Sequence, residues 1–396
     1  MLRHTSLLRR GTKRLLDALI EKISDATDIY LWGREELSAV TRETTRLRYN
    51  EKVYGPALLV NARTRPSEGL LLPASLSEPF VVVSKGKLVA ARLDSPAIKP
   101  GVIAQSDVSR IAKMAKKVNP PPNPFFRGYW DLVESNGLAI VEQAKHFEEP
   151  LSMSRTVDVR GAASNIMAEE SAEIEGSVTL DARLGPIIID RGASVDSFSR
   201  IMGPCYIGQK VKLYSAIIGG GTSLFESCKV GGQVENSVFL PYSNKAHYGY
   251  VGDSYIGSWV NLGAGCTFSN LKNTYGNVRV TVDGKRTDSG MLKLGPVIGD
   301  MSKLSIGSLV YAGRCVGVGS QLTGLAAEDI PSFAFADFTS HRVVELHLEA
   351  LLETQRRMME RRGLTLGRSE ESLIRRAFIS TSKERARAGV KKGRIY

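Results

Sequence analysis

The residues best suited to chemistry lie between Ser243 and Asn273, in the stretch SNKAHYGYVGDSYIGSWVNLGAGCTFSNLKN. His247 is the histidine of this stretch, and histidine as a residue type, with an ordinary pKa of about 6.5, suits a general base within hydrogen-bond reach of a protonated nucleophile. An amine is such a nucleophile. With a pKa on the order of 8 for an α-amino group, it must lose a proton before it attacks. Lys245 and Lys272 bracket the histidine and are phosphate partners by charge and position. Tyr250, Asn261 and Asn270 add hydrogen-bonding groups around it. A lone histidine is more often structural than catalytic, so the case for His247 rests on its company.

That company resembles the acetyltransferase half of the bifunctional N-acetylglucosamine-1-phosphate uridyltransferase/glucosamine-1-phosphate acetyltransferase family. The family pattern runs H-x-x-Y-x-G-D-x-x-I-G-x-x-V-N-x-G-A-G-T, with an asparagine further on. His247, Tyr250, Gly252, Asp253, Ile256, Gly257, Val260, Asn261, Gly263, Ala264, Gly265 and Asn270 match, and Cys266 replaces the closing threonine. The glycines and aliphatics discriminate little. His247, Tyr250, Asn261 and Asn270 are not required by a fold and carry the specificity. The loop VDGKRTDSGMLKLGPVIGD and the segment YWDLVESNG also resemble archaeal and some bacterial variants, so the likeness runs nearly the whole length and is strongest across residues 185–340.

The resemblance implies an acetyltransferase that moves the acetyl group of acetyl-CoA, a co-substrate, to an amino-sugar 1-phosphate in UDP-N-acetylglucosamine biosynthesis, with no metal needed. It makes His247 the general base and gives Tyr250, Asn261 and Asn270 the sugar phosphate, with Lys245 and Lys272 as added phosphate partners. It gives Ala264 a backbone contact to the acetyl donor, with Lys293 on the coenzyme A side. The arginine and lysine that hold the sugar phosphate in the bacterial enzymes have no counterpart in Phe225–Lys229 or Val234–Ser237. Galactosamine 1-phosphate therefore stands beside glucosamine 1-phosphate as a candidate.

The elements that must position these residues show a six-residue beat. Ile189, Val195, Ile201, Ile207 and Leu213 keep it; Ile218, Leu224 and Val230 resume it after a one-residue slip; Ile298, Leu304, Val310, Val316 and Leu322 complete it. A helix wants a period of 3.6 and a free strand a period of 2, so neither explains six. A triangular coil of three short faces does, with one inward aliphatic per face and small residues at the corners. The expected fold is a left-handed parallel β-helix of the hexapeptide-repeat type over residues 161–340, the hand being implied by the resemblance. Asn270–Leu294 abandons the beat, carries five basic side chains and reads as a protruding loop or hairpin. Solenoids often put such insertions on the binding face.

On the N-terminal side, residues 1–125 read as an α/β domain, a degenerate nucleotidyltransferase-like remnant. Thr5–Ser24 has a helical pattern, Arg3–Arg10 resembles the family's second helix, and Ile29–Trp32, Ala57–Val60 and Phe80–Val83 suit strands. The glycines of residues 1–127 form no phosphate-cradling loop, so nucleotidyl transfer is not expected; either the domain is a remnant or the start of the chain is set too late. The run NPPPNPFF marks a boundary, and residues 126–160 form a linker. Residues 341–396 read as a helical extension capping the solenoid, with helices at Val343–Gly363 and Glu370–Ala388.

A net charge of +12 invites a nucleic-acid or membrane reading. Much of the excess sits in Leu2–Lys22 and Arg356–Arg394 without interleaved aromatic residues, so solvated basic helices are expected and nucleic-acid binding is unlikely. Cys205, Cys228, Cys266 and Cys315 are too far apart for a disulfide framework or zinc site and read as small buried residues. No apolar run reaches a membrane span, and a cytoplasmic location is expected. A carbonic anhydrase on the same scaffold needs three histidine ligands, but only His247 of the five histidines falls inside the coils. Two functional readings follow: a homotrimeric acetyltransferase whose basic loop reaches a neighbouring protomer's site, or a non-catalytic regulatory subunit that binds sugar nucleotides and partners a complete nucleotidyltransferase.

Overall fold

The computed structural model describes residues 2, 3, 5–22, 28–66, 78–95, 99–147, 156–282 and 284–393. Its centre is a left-handed parallel β-helix of hexapeptide coils. One turn defines the three faces. On the first, Ile187–Ile189 pairs in parallel with Cys205–Ile207; on the second, Ser194–Val195 with Lys212–Leu213; on the third, Arg200–Ile201 with Ile217–Ile218. Strands this short cannot stand alone, so stacking must hold them. Every beat residue from Ile189 to Leu322 is at most 2% exposed and joins one continuous core. The one-residue slip has a structural counterpart in the register shift between Tyr214 and Ile217, where a single strand, Lys212–Ile218, crosses a corner. Buried hydroxyls are satisfied within the stack: Ser243 donates to the Gly257 carbonyl at 2.5 Å and Ser302 to that of Gly317 at 2.7 Å.

The N-terminal segment departs from its expected helix. Thr5–Leu7 is a short 3₁₀ turn, Arg9–Arg10 and Lys13–Arg14 form a two-stranded ribbon, and only Leu15–Ile20 is α-helical (α1); Ile23 and Ser24 lie outside the described residues. Tertiary bonds override the helical pattern at Gly11. Its N–H donates to Asn136 Oδ1 at 2.7 Å, its carbonyl accepts from Ser223 Oγ at 2.6 Å, and its φ of +67° suits glycine. After α2 (Ser38–Thr45), the strands Ala57–Val60, Lys87–Leu93, Phe80–Ser84 and Lys116–Val118 form a sheet in that order. It is antiparallel apart from its last pair and carries α3 (Gln105–Met114), with Val81, Leu88, Leu93, Val108 and Ile111 between them.

The segment read as a linker is a docked element. Helices α4 (Tyr129–Glu134) and α5 (Asn136–Ala144) bury Leu132, Val133 and Ile140 against Tyr206, Phe225, Val238 and Tyr255 of the first face. At the far end, Arg342–Glu345 pairs antiparallel with Ala334–Asp337 where helix was expected. Three helices follow, α6 (Leu348–Glu360), α7 (Arg368–Ser380) and α8 (Ser382–Arg387). Their apolar side covers Met301, Val318 and Phe333, and Leu373 of α7 enters a core with Leu7, Leu16, Leu37 and Tyr49 of the N-terminal unit.

Two further expectations are corrected. The basic termini are not simply solvated, because many of their arginines hold the parts together: Arg3 on Asp300 at 3.0 Å, Arg9 on Glu226 at 2.8 Å, Arg356 on Glu371 at 2.7 Å and Arg385 on Glu345 at 2.6 Å. The insertion after Asn270 is not a free arm reaching away from its own coil. It contains the hairpin Arg279–Val282/Lys285–Asp288, but Val278, Val280 and Leu294 are buried against Trp130 of α4. Thr281 Oγ1 donates to Asp329 Oδ2 at 2.5 Å, tying the hairpin to its own solenoid.

Candidate active site

The sequence-derived residues converge on one corner, between the second and third faces. Asn244–Lys245 ends the second-face strand, His247–Gly249 turns the corner, and Tyr250–Gly252 opens the third face. One coil on, Asn261–Leu262, Ala264–Gly265 and Thr267–Phe268 repeat the arrangement. The corners stack directly: Gly265 N donates to the Tyr248 carbonyl at 2.9 Å and Gly307 N to the Ala264 carbonyl at 2.7 Å. Gly249 is forced by this stacking, since a Cβ there would sit 2.2 Å from the Cys266 carbonyl oxygen. His247 and Ala264 thus occupy adjoining corners, with His247 exposed. Asn261 stands on the face before them, paired in register with Asn244 and Lys303. Tyr250 and Asn270 stand on the face after.

Tyr250 and Asn270 belong to a polar network that spans three coils. The Tyr250 hydroxyl donates to Glu235, and Asn270 Nδ2 donates to the Tyr250 oxygen at 2.9 Å and to Asp253 Oδ2 at 2.5 Å. Asn236 Nδ2 closes the network on Asp253 Oδ1 at 2.6 Å. Burial, with Glu235 alongside, pushes the Tyr250 phenol well above its ordinary range, so it stays a protonated donor. Asp253 sits at φ +48°, a left-handed conformation that aspartate tolerates, and this presents both its oxygens to asparagine side chains.

Lys245 is corrected from a surface phosphate partner to an internal cation. It occupies an inward position in register with Val230, is 1% exposed, and donates from Nζ to the Gly231 carbonyl at 2.7 Å and the His247 carbonyl at 2.9 Å. Desolvation lowers its pKa to about 8. Beside it Cys266, at the threonine position of the pattern, is buried and its thiol is pushed up to about 11 by burial. Cys205 and Cys228 are likewise buried, while Cys315 is partly exposed; all four are free. Lys272 and Lys293 flank the base of the insertion, where Leu271 and Lys293 form an antiparallel bridge and Lys272 Nζ reaches the Asn277 carbonyl at 3.0 Å.

Relatives of this chain carry the same combination of names. No family model matches it. It is 41% identical over 98 residues to a bifunctional sugar-1-phosphate nucleotidylyltransferase/acetyltransferase of Sulfurisphaera tokodaii, covering 24% of each chain. It is 30% identical over 185 residues to the bifunctional protein GlmU of Ralstonia pickettii, covering 43% of this chain and 38% of that one. The Thermotoga maritima GlmU is 26% identical over 242 residues, 54% of this chain and 51% of its own. The chain is a partial relative of the bifunctional nucleotidyltransferase/acetyltransferases. It spans about half or less of the length of the curated relatives it matches. Among solved structures, the UDP-N-acetylglucosamine acyltransferase of Arabidopsis aligns with 51% of this chain and 76% of its own, at 12% identity and a TM-score of 0.30.

Residues outside the family-like pattern also shape the corner. Glu235 and Asn236, which sequence comparison treated only as a gap where basic residues were expected, brace Tyr250 and Asp253 from the preceding coil. Their register opposite Gly252 follows from a coil repeat that the beat alone leaves one residue uncertain. Lys303, below Asn261 in the same column, was invisible to spacing because the insertion separates them in sequence. Burial lowers its pKa to about 8, and its Nζ donates to the Met301 carbonyl at 2.7 Å.

Proposed function

We propose that this chain is an acetyl-CoA-dependent N-acetyltransferase acting on an amino-sugar 1-phosphate, glucosamine 1-phosphate or galactosamine 1-phosphate. The single observation that carries the reading is the gathering of His247, Ala264, Asn261, Tyr250 and Asn270 around one corner of two stacked coils. As general base, His247 takes a proton from the sugar amine as the amine nitrogen attacks the thioester carbon. The new C–N bond forms, the C–S bond breaks, and the proton taken by His247 passes to the departing sulfur, so coenzyme A leaves as the thiol. The Ala264 carbonyl is already bonded to Gly307, so its N–H is the group left to meet the acetyl donor. Tyr250 and Asn270, held rigid by Asp253 and Glu235, orient the sugar, with Asn261 on the opposite side of the corner. Lys272 and Lys293, at the base of the insertion that follows Asn270, would supply charge to the sugar phosphate or coenzyme A.

A homotrimer is part of the proposal. Tyr248 and Ile306, on the stacked corners beside His247, are 73% and 78% exposed, and Leu309 and Leu325 add apolar surface on the third face. Such a patch beside a candidate site marks an interaction surface, and a second prism would cover it. Among the described residues no helix is long and apolar enough to cross a membrane. The direct test is thiol release from acetyl-CoA with a panel of 2-amino-sugar 1-phosphates. Turnover with one of them supports the reading, and no turnover with any member of the panel overturns it.

A further inference from the structure

We propose that Lys212, Lys229, Arg361 and Arg362 form a second anion site, built for a diphosphate ester, on the second face two to three coils before Asn261. The inference stands apart from the acetyl-transfer reading. Lys212, Lys229 and Asn244 are consecutive in register on that face, so their side chains rise in one outward column. Successive strands lie about 4.8 Å apart. The end of α6 is brought onto this column by Arg362, whose Nη2 donates to Asn244 Oδ1 at 2.7 Å. Arg361 is its chain neighbour, and both arginines act electrostatically on Lys229.

Four cations therefore converge, and among the described residues none of them has an ion pair with a carboxylate. The contrast is with four other arginines of the same cap, Arg356, Arg357, Arg375 and Arg385, each paired with a glutamate. Glu226, on the adjoining corner, is taken by Arg9 at 2.8 Å. Like charges placed directly opposite one another across a strand pair are destabilising. Lys229 feels this, since burial and the three neighbouring cations lower its proton affinity. Lys229 is only partly exposed and Arg362 is pinned, so these two charges cannot simply splay into solvent, while Lys212 and Arg361 stand exposed beside them. An arrangement that costs stability and has no internal counter-ion fits an external one. Two adjacent phosphates match the two lysines one strand spacing apart, with the arginines of the cap beside them. Beside them Tyr242 and Trp259 stack at 4.4 Å on the neighbouring corner, next to Arg362.

The test is calorimetric titration of the full chain with inorganic pyrophosphate, repeated with Lys212→Gln/Lys229→Gln and with Lys229→Gln/Arg361→Gln. Each lost charge-assisted bond should weaken binding by roughly tenfold, with the melting temperature unchanged or raised. The second pair leaves the Arg362–Asn244 contact intact, which separates lost binding from a displaced cap. Coenzyme A and UDP-N-acetylglucosamine are then titrated against bound pyrophosphate. Displacement by either, lost in both variants, supports a diphosphate site and names its source. No binding of pyrophosphate to the wild type, or equal binding by the variants, overturns the proposal. A short RNA that binds more tightly than pyrophosphate, with a steep salt dependence and loss in the same variants, also overturns it in favour of a nucleic-acid surface.

Discussion

His247 stands exposed on its corner, so its side chain contributes little to packing. His247→Ala should lower acetyl transfer by roughly 10²–10⁴-fold, the usual effect of losing a general base, and leave the melting temperature and assembly nearly unchanged. Thiol release and differential scanning fluorimetry read the two quantities together; retention of most activity would remove His247 from the mechanism. Lys245 gives the opposite pattern, because it is structural and titratable. Its pKa is lowered to about 8 in the folded chain and is about 10.4 in an unfolded one. Between those values the unfolded chain binds the extra proton, so this group makes stability rise with pH across roughly pH 8 to 10. Lys303 acts in the same sense. Relative to Lys245→Met, the wild type should therefore gain stability as pH is raised through that window. A wild-type-minus-variant difference that is flat from pH 7 to 10 in urea titrations would show that the ammonium is not desolvated as described.

The elements explain which parts of the site were legible in the sequence. Residues Ile189 to Leu322 declared the coils because each face accepts only one inward aliphatic, and a six-residue beat has no other simple source. His247, Tyr250, Asn261 and Asn270 were legible as a set through the resemblance to the family pattern, and the coil repeat turns their spacing into adjacency. Lys245 was misread because an inward lysine looks like a surface one until register is known, and the slip at Tyr214–Ile217 hides register. The helix expected at Thr5–Ser24 failed for a related reason: bonds from Asn136, Gln143 and Ser223, remote in sequence, decide the backbone at Gly11–Thr12. The insertion offers a test at this scale. Trp130 anchors Val278, Val280 and Leu294, while Leu294 N donates to the Asn270 carbonyl at 2.7 Å and the Tyr129 hydroxyl to that of Gly295 at 3.0 Å. Trp130→Ala removes a large side chain from a core, a change that costs about 3–5 kcal/mol. Hydrogen exchange should accelerate at Val278, Val280 and Leu294 and stay slow at Leu304 and Leu322. Uniform acceleration along the whole solenoid would mean that the insertion is not a separable unit.

At the scale of the molecule, the exposed apolar corners and the clasped ends make separate claims. If Tyr248 and Ile306 lie between protomers, Tyr248→Glu with Ile306→Asp should convert a trimer to monomers and remove activity without unfolding the coils, as measured by light scattering and circular dichroism. A wild type that is monomeric at micromolar concentration, or a variant that stays trimeric, would count against the assembly. The clasp concerns time. The backbone N–H of Leu2 bonds to Asp300 across 298 residues, and Arg3 grips the same carboxylate. Solenoid coils can stack as they are made, since each needs only its neighbour. Leu2 and Arg3 cannot close this clasp until the coil bearing Asp300 exists, whereas Gly11 and Leu15 find their partners among residues 126–255. At roughly 5–20 residues per second of synthesis, the clasp waits on the order of 15–60 s for its partner. Growth of the chain therefore orders its assembly from the middle outward. During that interval Leu2, which packs on the cluster of Met301, Val318 and Phe333 in the folded chain, is the apolar side chain left without its cover.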